Sequence, residues 1–195
     1  DPYQIAGWWG LRFLLTRRPL QEKLTLFWHD HFAVSGEKVF EGPTMLGYNE
    51  ILRKHGAGKF GELLEAVSKH GALISYLDNG TSSKSHPNEN YAREMLELFT
   101  IGMGNYSERD VKEAARAFTG WSIHYSGIGD ETPYEKQAQI AARQGMSMFN
   151  FCHVPSHHDD GEKIFLGVKG GHTGDDILKI LAGRPETARF VCTKL

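Results

Sequence analysis

The segment from Asn88 to Thr100 constrains the fold of this chain most strongly. Four of its polar residues are spaced i, i+3, i+4 and i+7 and therefore share one helix face: Asn90, Arg93, Glu94 and Glu97. Most of the remaining circumference is apolar. A helix that is apolar around most of its circumference is normally buried. The sequence therefore predicts a central helix with a single polar stripe.

This polar stripe has two interpretations. If it faces solvent, Arg93 and Glu97 form a helical ion pair worth only about 0.2–0.5 kcal/mol. If it faces inward, its charges need partners, because an unpaired buried charge costs several kcal/mol. Glu94→Ala then lowers the free energy of unfolding by about 2–4 kcal/mol, against about 0.5 kcal/mol or less on a solvated face. The inward interpretation makes Glu89, Arg93, Glu94 and Glu97 candidate catalytic residues.

Composition limits the class of protein. Of the 195 residues, 40% are hydrophobic and 24% are charged, which excludes a disordered chain. The sequence contains no run of 18 apolar residues, so it predicts no membrane-spanning helix. The balance of 22 basic and 24 acidic residues, without a basic stripe, speaks against a nucleic-acid partner. Two cysteines, Cys152 and Cys192, are too few to define a compartment, and whether they pair stays open.

Apolar spacing and helix breakers predict a mainly α fold, an irregular multi-helix domain with a small loop or β-hairpin insert near 121–152. A capping box is expected at Ser107–Asp110, and two strands, 121–125 and 148–152, are expected to pair. Helices are predicted at 8–15, 19–33, 44–55, 60–69, 87 or 88 to 102, and 173 or 175 to 183. We expect one domain over 1–195, with an insert at 122–152, from the central part of a longer protein.

Histidines supply the second group of candidates. His29 and His31 would bind one metal on a strand, but on a regular helix they point about 200° apart. They share an ion only if the helix ends there, and the alternative is one core and one surface histidine. His158 and Asp159 lie in a loop rich in imidazoles and carboxylates, which either converges on a cation or binds nothing. All four are candidate ligands for zinc or calcium.

Two long segments resemble the signatures of one family. PLQEKLTLFWHDHF (19–32) and NENYAREMLELFT (88–100) are similar to motifs of the bacterial domain of unknown function 1800 family, with further matches at 110–121, 158–163 and 185–195. The resemblance spans nearly the whole chain apart from 122–151. It implies that the segments carrying His31, Glu94 and His158 meet in space, and that the protein is exported to the periplasm or beyond. The family has no secure activity to transfer.

The sequence supports two hypotheses of function. The first is an exported hydrolase, with or without a bound metal ion, that cleaves an ester, lactone or glycosidic bond of a small molecule or polysaccharide. In this hypothesis Glu97 or Glu89 is the general base, and Arg93 holds the developing oxyanion. The second is a non-catalytic cell-envelope protein that binds or scaffolds an envelope protein partner through a structural polar network. An open pocket with perturbed carboxylates favours the first, and a closed network favours the second.

The hydrolase hypothesis also predicts a geometry. Helices 19–33 and 88–100 pack together with His31 near Glu94 or Arg93. His158 and Asp159, on a mobile surface loop, close over the polar stripe and complete the site. His158→Ala is then expected to abolish activity and leave the fold largely intact.

Overall fold

The fold is mainly α, as predicted. The computed structural model describes residues 2–125 and 149–195, and this part of the chain contains ten α-helices and two antiparallel two-stranded sheets. The helices are α1 (Pro2–Leu15), α2 (Pro19–His31), α3 (Gly36–Val39), α4 (Gly42–His55), α5 (Phe60–Ser68), α6 (Gly71–Tyr76), α7 (Glu89–Glu97), α8 (Glu108–Ala117), α9 (Gly174–Ala182) and α10 (Pro185–Lys194). None of the described helices combines the length and the apolar character that crossing a membrane requires.

Local capping signals set the ends of the helices. Ser107 forms the predicted capping box with Asp110 at the start of α8. Asn88 caps the N-terminus of the central helix α7, where its side chain accepts a hydrogen bond from the Tyr91 N–H, and the helix ends earlier than predicted. The chain turns away because Gly102 adopts a φ of +75° and donates its N–H to a carbonyl near the end of α7.

The predicted hairpin is present at its two described ends. Strand β1 (Trp121–Tyr125) pairs antiparallel with β2 (Phe149–His153). Residues 126–148, which hold most of the predicted insert, lie outside the described residues. A second hairpin, β3 (Lys163–Phe165) and β4 (Val168–Gly170), was not predicted, because strands of three residues are too short for a periodic pattern.

Helix α7 lies in the core, as its apolar circumference predicts. Tyr91, Ala92, Met95 and Leu96 are all fully buried. The Tyr91 hydroxyl donates to the backbone carbonyl of Ser68 at 2.7 Å, so even its polar atom is satisfied. Helix α7 is therefore held in the core, and its position determines which parts of the protein surface its polar stripe reaches.

A buried ion cluster joins α1, α2 and α4. The fully buried carboxylate of Glu22 accepts from Arg53 Nε at 2.9 Å and Nη2 at 3.0 Å, and from Arg12 Nε at 2.7 Å. Burial by itself raises the pKa of Glu22, but the hydrogen bonds from Arg53 and Arg12 outweigh it and lower the pKa to about 2. Glu22 is therefore ionised and tied to both arginines at neutral pH.

Candidate functional site

A cavity of about 510 Å³ opens between the C-terminal ends of α2 and α6, the polar face of α7 and the end of α10. We call it the Glu94 cavity. Apolar walls come from α6, α7 and the segment after α2. Its polar and ionisable lining residues are Asp30, His31, Lys38, Tyr76, Asn90, Glu94 and Lys194. An open space lined by both carboxylates and amines is where acid–base chemistry is sought.

The polar stripe of α7 divides between two surfaces. Asn90 and Glu94, one turn apart, line the Glu94 cavity. Arg93 turns away from it and forms a bidentate pair with Glu108 of α8, with both N···O distances at 2.8 Å. The predicted candidates on this helix therefore do not form one site.

The other two predicted carboxylates of α7 also lie outside the lining of the cavity. Glu97 accepts a hydrogen bond from the Tyr106 hydroxyl at 2.6 Å. Glu89 is exposed at the first turn of α7. Neither has the surroundings that the general-base role required, which leaves Glu94 as the acidic candidate on this helix.

Glu94 is a half-buried carboxyl that makes no hydrogen bond or ion pair with any described residue. Burial and the neighbouring Glu97 carboxylate raise its pKa above the ordinary value of 4.5, while Arg93 acts in the opposite direction. A carboxyl that is accessible, has no described partner and is harder to ionise than usual is suited to take up and release a proton during a reaction.

We expect Glu94→Ala to change the free energy of unfolding by no more than about 0.5 kcal/mol. The larger loss that buried pairing would cause does not apply, because Arg93 is held by Glu108 instead. Urea denaturation of the variant and the parent measures the difference. A loss above about 2 kcal/mol would show that Glu94 has a structural partner.

Several aromatic rings surround the imidazole of His31 at the end of α2. The ring centroids of Phe32, Trp28 and Phe99 lie 4.6, 5.7 and 6.2 Å from its own. Burial in these surroundings lowers the pKa of His31 to about 4, against the raising effect of the Phe99 carbonyl. The imidazole is therefore neutral at physiological pH.

The protonation of this imidazole follows from its partners. His31 Nε2 lies 3.0 Å from the Phe99 carbonyl oxygen, and because that oxygen only accepts, Nε2 carries the hydrogen. The other nitrogen, Nδ1, is then an acceptor, and it lies 3.3 Å from Lys194 Nζ. His31 therefore holds the Lys194 ammonium and does not serve as a base.

Lys194 is the residue of this cavity that the sequence analysis missed. It comes from the last turn of α10, 163 positions along the chain from His31. Burial lowers its pKa below 10.5, against a raising effect of Asp30, and it forms no ion pair with a described carboxylate. Lys38, the other lysine here, already pairs with Asp78 at 2.6 Å. Lys194 is therefore the cation available to a bound molecule.

Comparison with known families matches nearly the whole sequence to one of them. The sequence model of a family described as "Protein of unknown function (DUF1800)" matches residues 2–195. The chain belongs to this family. Comparisons with curated proteins and with solved structures gave no match. The DUF1800 match contains every residue of the Glu94 cavity, and it includes the insert that the motif resemblance left out.

In this DUF1800 protein the four predicted metal ligands lie apart. Helix α2 stays regular through His31, so His29 points elsewhere and lines a different cavity beside Trp9. His158 and Asp159 contact α8 and the segment after it. Within residues 2–125 and 149–195, no three His, Cys, Asp or Glu side chains are grouped closely enough to hold a metal ion.

His158 and Asp159 are held by hydrogen bonds to neighbouring elements, although the residues on both sides of them are exposed. The buried His158 donates from Nδ1 to the Thr119 carbonyl at 2.8 Å. Asp159 accepts from Arg116 Nε at 2.7 Å and Nη2 at 3.1 Å, and Arg116 lowers its pKa. The expected closure over the polar stripe of α7 is absent, because Arg116 of α8 holds Asp159 and Thr119, in the segment after α8, holds His158.

We expect His158→Ala to lower the free energy of unfolding by about 1–3 kcal/mol, because it leaves the Thr119 carbonyl without its donor and opens a void. The sequence-based expectation was the reverse, an intact fold without activity. Denaturant melts measure stability, and circular dichroism checks the fold. A variant as stable as the parent would contradict the structural role.

Proposed function

We propose that this DUF1800 protein is an exported hydrolase whose active site is the Glu94 cavity. One observation carries the proposal: the Glu94 carboxyl, with a raised pKa, and the Lys194 ammonium, with a lowered pKa, line the same open cavity, and neither forms an ion pair with a described residue. Ionisable groups with pKa values shifted toward neutrality cluster at functional sites. Export is inferred from the family resemblance and is tested by cell fractionation.

Glu94 and Lys194 divide the chemistry of hydrolysis between them. As its carboxylate, Glu94 removes a proton from the attacking water and then returns it to the leaving oxygen. The Lys194 ammonium, held by His31, stabilises the negative charge that develops on the carbonyl oxygen. This is the role that the sequence analysis assigned to Arg93. Asn90, at the same wall, supplies an amide that orients the substrate.

An ester or lactone is the substrate that this pair of groups fits best. The developing charge of acyl transfer lies on one oxygen, which an ammonium stabilises directly. A glycosidic bond instead requires two carboxyl groups on opposite sides of the bond. Asp30 is the other carboxylate that lines the cavity, and in glycoside hydrolysis it would supply the second carboxyl group.

The lining residues do not fit a divalent cation. The free lone pair of His31, on Nδ1, is directed at the Lys194 ammonium, which repels a metal ion from that position. The proposed hydrolysis therefore uses the side chains of the cavity and no metal ion. The zinc or calcium ion expected from sequence stays a prediction, which assays with and without chelator test.

A panel of chromogenic esters, lactones and glycosides tests the proposal. The purified chain is assayed with and without EDTA, beside Glu94→Gln as the blank and Glu97→Gln as a matched control. We expect ester or lactone turnover that is insensitive to EDTA and lost only in Glu94→Gln. Activity that survives in Glu94→Gln would contradict the assignment, and loss with EDTA would restore the metal-dependent form.

The second hypothesis, an envelope scaffold, gains support from a different part of the molecule. The Asp159 carboxylate and the Arg116 guanidinium satisfy each other, and the buried Lys163 ammonium donates to two backbone carbonyls. Such closed networks stabilise packing and leave no group for a reaction. An inert substrate panel together with a copurifying envelope protein would favour this function.

A further inference from the structure

A second cavity, of about 270 Å³, lies between α1, α2 and the first half of α4. We call it the Trp9 cavity. Most of its wall is apolar and includes Ile5, Trp9, Val34 and Met45. Its volume is close to the lower end of the ~300–1,000 Å³ range of small-molecule sites. The space therefore suits one aromatic ring with a short substituent.

One buried amide in this wall has an unused donor. Asn49 lines the cavity and is only 3% exposed. Its Oδ1 accepts from Arg53 Nη2 at 2.6 Å, and because a guanidinium can only donate, this contact fixes which end of the amide is oxygen. Nδ2 is left without a hydrogen-bond partner among the described residues. A buried donor of this kind favours a ligand that brings an acceptor.

The ionisable groups of the cavity favour an uncharged ligand. The ring centroids of His29 and Trp9 lie 5.2 Å apart. Burial lowers the pKa of His29, so its imidazole is neutral at neutral pH. Glu37 is the carboxylate of the lining, and it repels anions. No lysine or arginine lines this cavity in the described part of the chain.

We propose that the Trp9 cavity is a binding site for a small uncharged aromatic molecule with a carbonyl oxygen. The ring packs against Trp9 and Met45, and the oxygen accepts the hydrogen bond that Asn49 Nδ2 has to give. The site shares no residue with the Glu94 cavity, so it stands or falls independently of the proposed hydrolase. It also gives His29 a place in a ligand site that is not a metal site.

Two ligands of nearly the same shape test whether binding depends on a hydrogen-bond acceptor. Acetophenone carries a carbonyl oxygen where α-methylstyrene carries a CH₂ group. Both are titrated into the ¹⁵N-labelled chain, and the side-chain signals of Asn49 Nδ2 and Trp9 Nε1 are followed. We expect acetophenone to bind about 3- to 10-fold more tightly, because only it satisfies the donor. Failure of acetophenone to shift the Asn49 signal, or equal affinities of the two ligands, would overturn the proposal.

Two variants separate the donor from the cavity. Asn49→Asp keeps an oxygen toward Arg53 and removes the donor, so the preference for acetophenone should disappear. Met45→Trp fills the space and should abolish binding of both ligands, which keeps the test decisive if the first variant misfolds. Glu94→Gln is the control and should bind both ligands as the parent does. Undiminished acetophenone binding in Met45→Trp would place the ligand elsewhere and overturn the assignment.

Discussion

Replacing Arg53 by methionine is expected to lower the free energy of unfolding by about 3–5 kcal/mol near neutral pH. The substitution keeps much of the side-chain volume but removes two hydrogen bonds from the fully buried Glu22 carboxylate. Arg12, whose side chain is 38% exposed, remains as a weaker partner. Guanidinium denaturation at about pH 7 measures the loss. Arg93→Met, which breaks an exposed pair, is the matched control and should cost far less.

The same variant has a pH signature with a definite sign. The folded-state pKa of Glu22 is about 2 and its ordinary value is 4.5, so its stabilising contribution is full above pH 4.5 and is lost as the pH falls toward 2. The difference between parent and Arg53→Met should therefore be largest near neutral pH and shrink below pH 4.5. A difference that stays constant down to pH 2 would show that lost packing, and not the ion pair, causes it.

Glu94→Gln is expected to lower kcat/KM for the ester or lactone substrate by about 10²–10⁴-fold. Glutamine keeps the shape of the side chain but can neither take a proton from water nor return it. Stability should stay close to that of the parent, since the carboxyl has no described partner to lose. Steady-state kinetics beside a denaturant melt separate the two effects. Full turnover in this variant would end the proposal for the cavity.

The pH profile of kcat/KM tests the roles of Glu94 as the base and Lys194 as the cation. The base must be ionised, so activity should rise as the pH passes the raised pKa of Glu94, above 4.5. It should fall again as Lys194 loses its proton, at a pH below 10.5. Glu97→Gln removes the carboxylate that raises the pKa of Glu94, so it should shift the acidic limb to lower pH without loss of turnover. Lys194→Met should lower turnover and remove the alkaline limb.

Individual elements show how far sequence reasoning reached. The α8 capping box and the burial of α7 were predicted correctly, because caps and apolar periodicity involve residues within one or two turns of each other. The β3–β4 hairpin was missed because its strands are too short to show a period. The angular divergence of His29 and His31 also followed from helix geometry once α2 was known to continue through both.

The candidate site shows the same difference between features set by neighbouring residues and features set by distant ones. Apolar periodicity within residues 88–100 was enough to predict that α7 is central and that it carries Glu94 on a polar stripe. Packing between elements distant in sequence placed Glu108 beside Arg93, and it brought Lys194, 163 positions from His31, into the cavity. It likewise joined Glu22 to Arg53 across 31 positions. Helical periodicity is a property of adjacent turns, whereas the partner of a charge depends on which distant helices pack beside it.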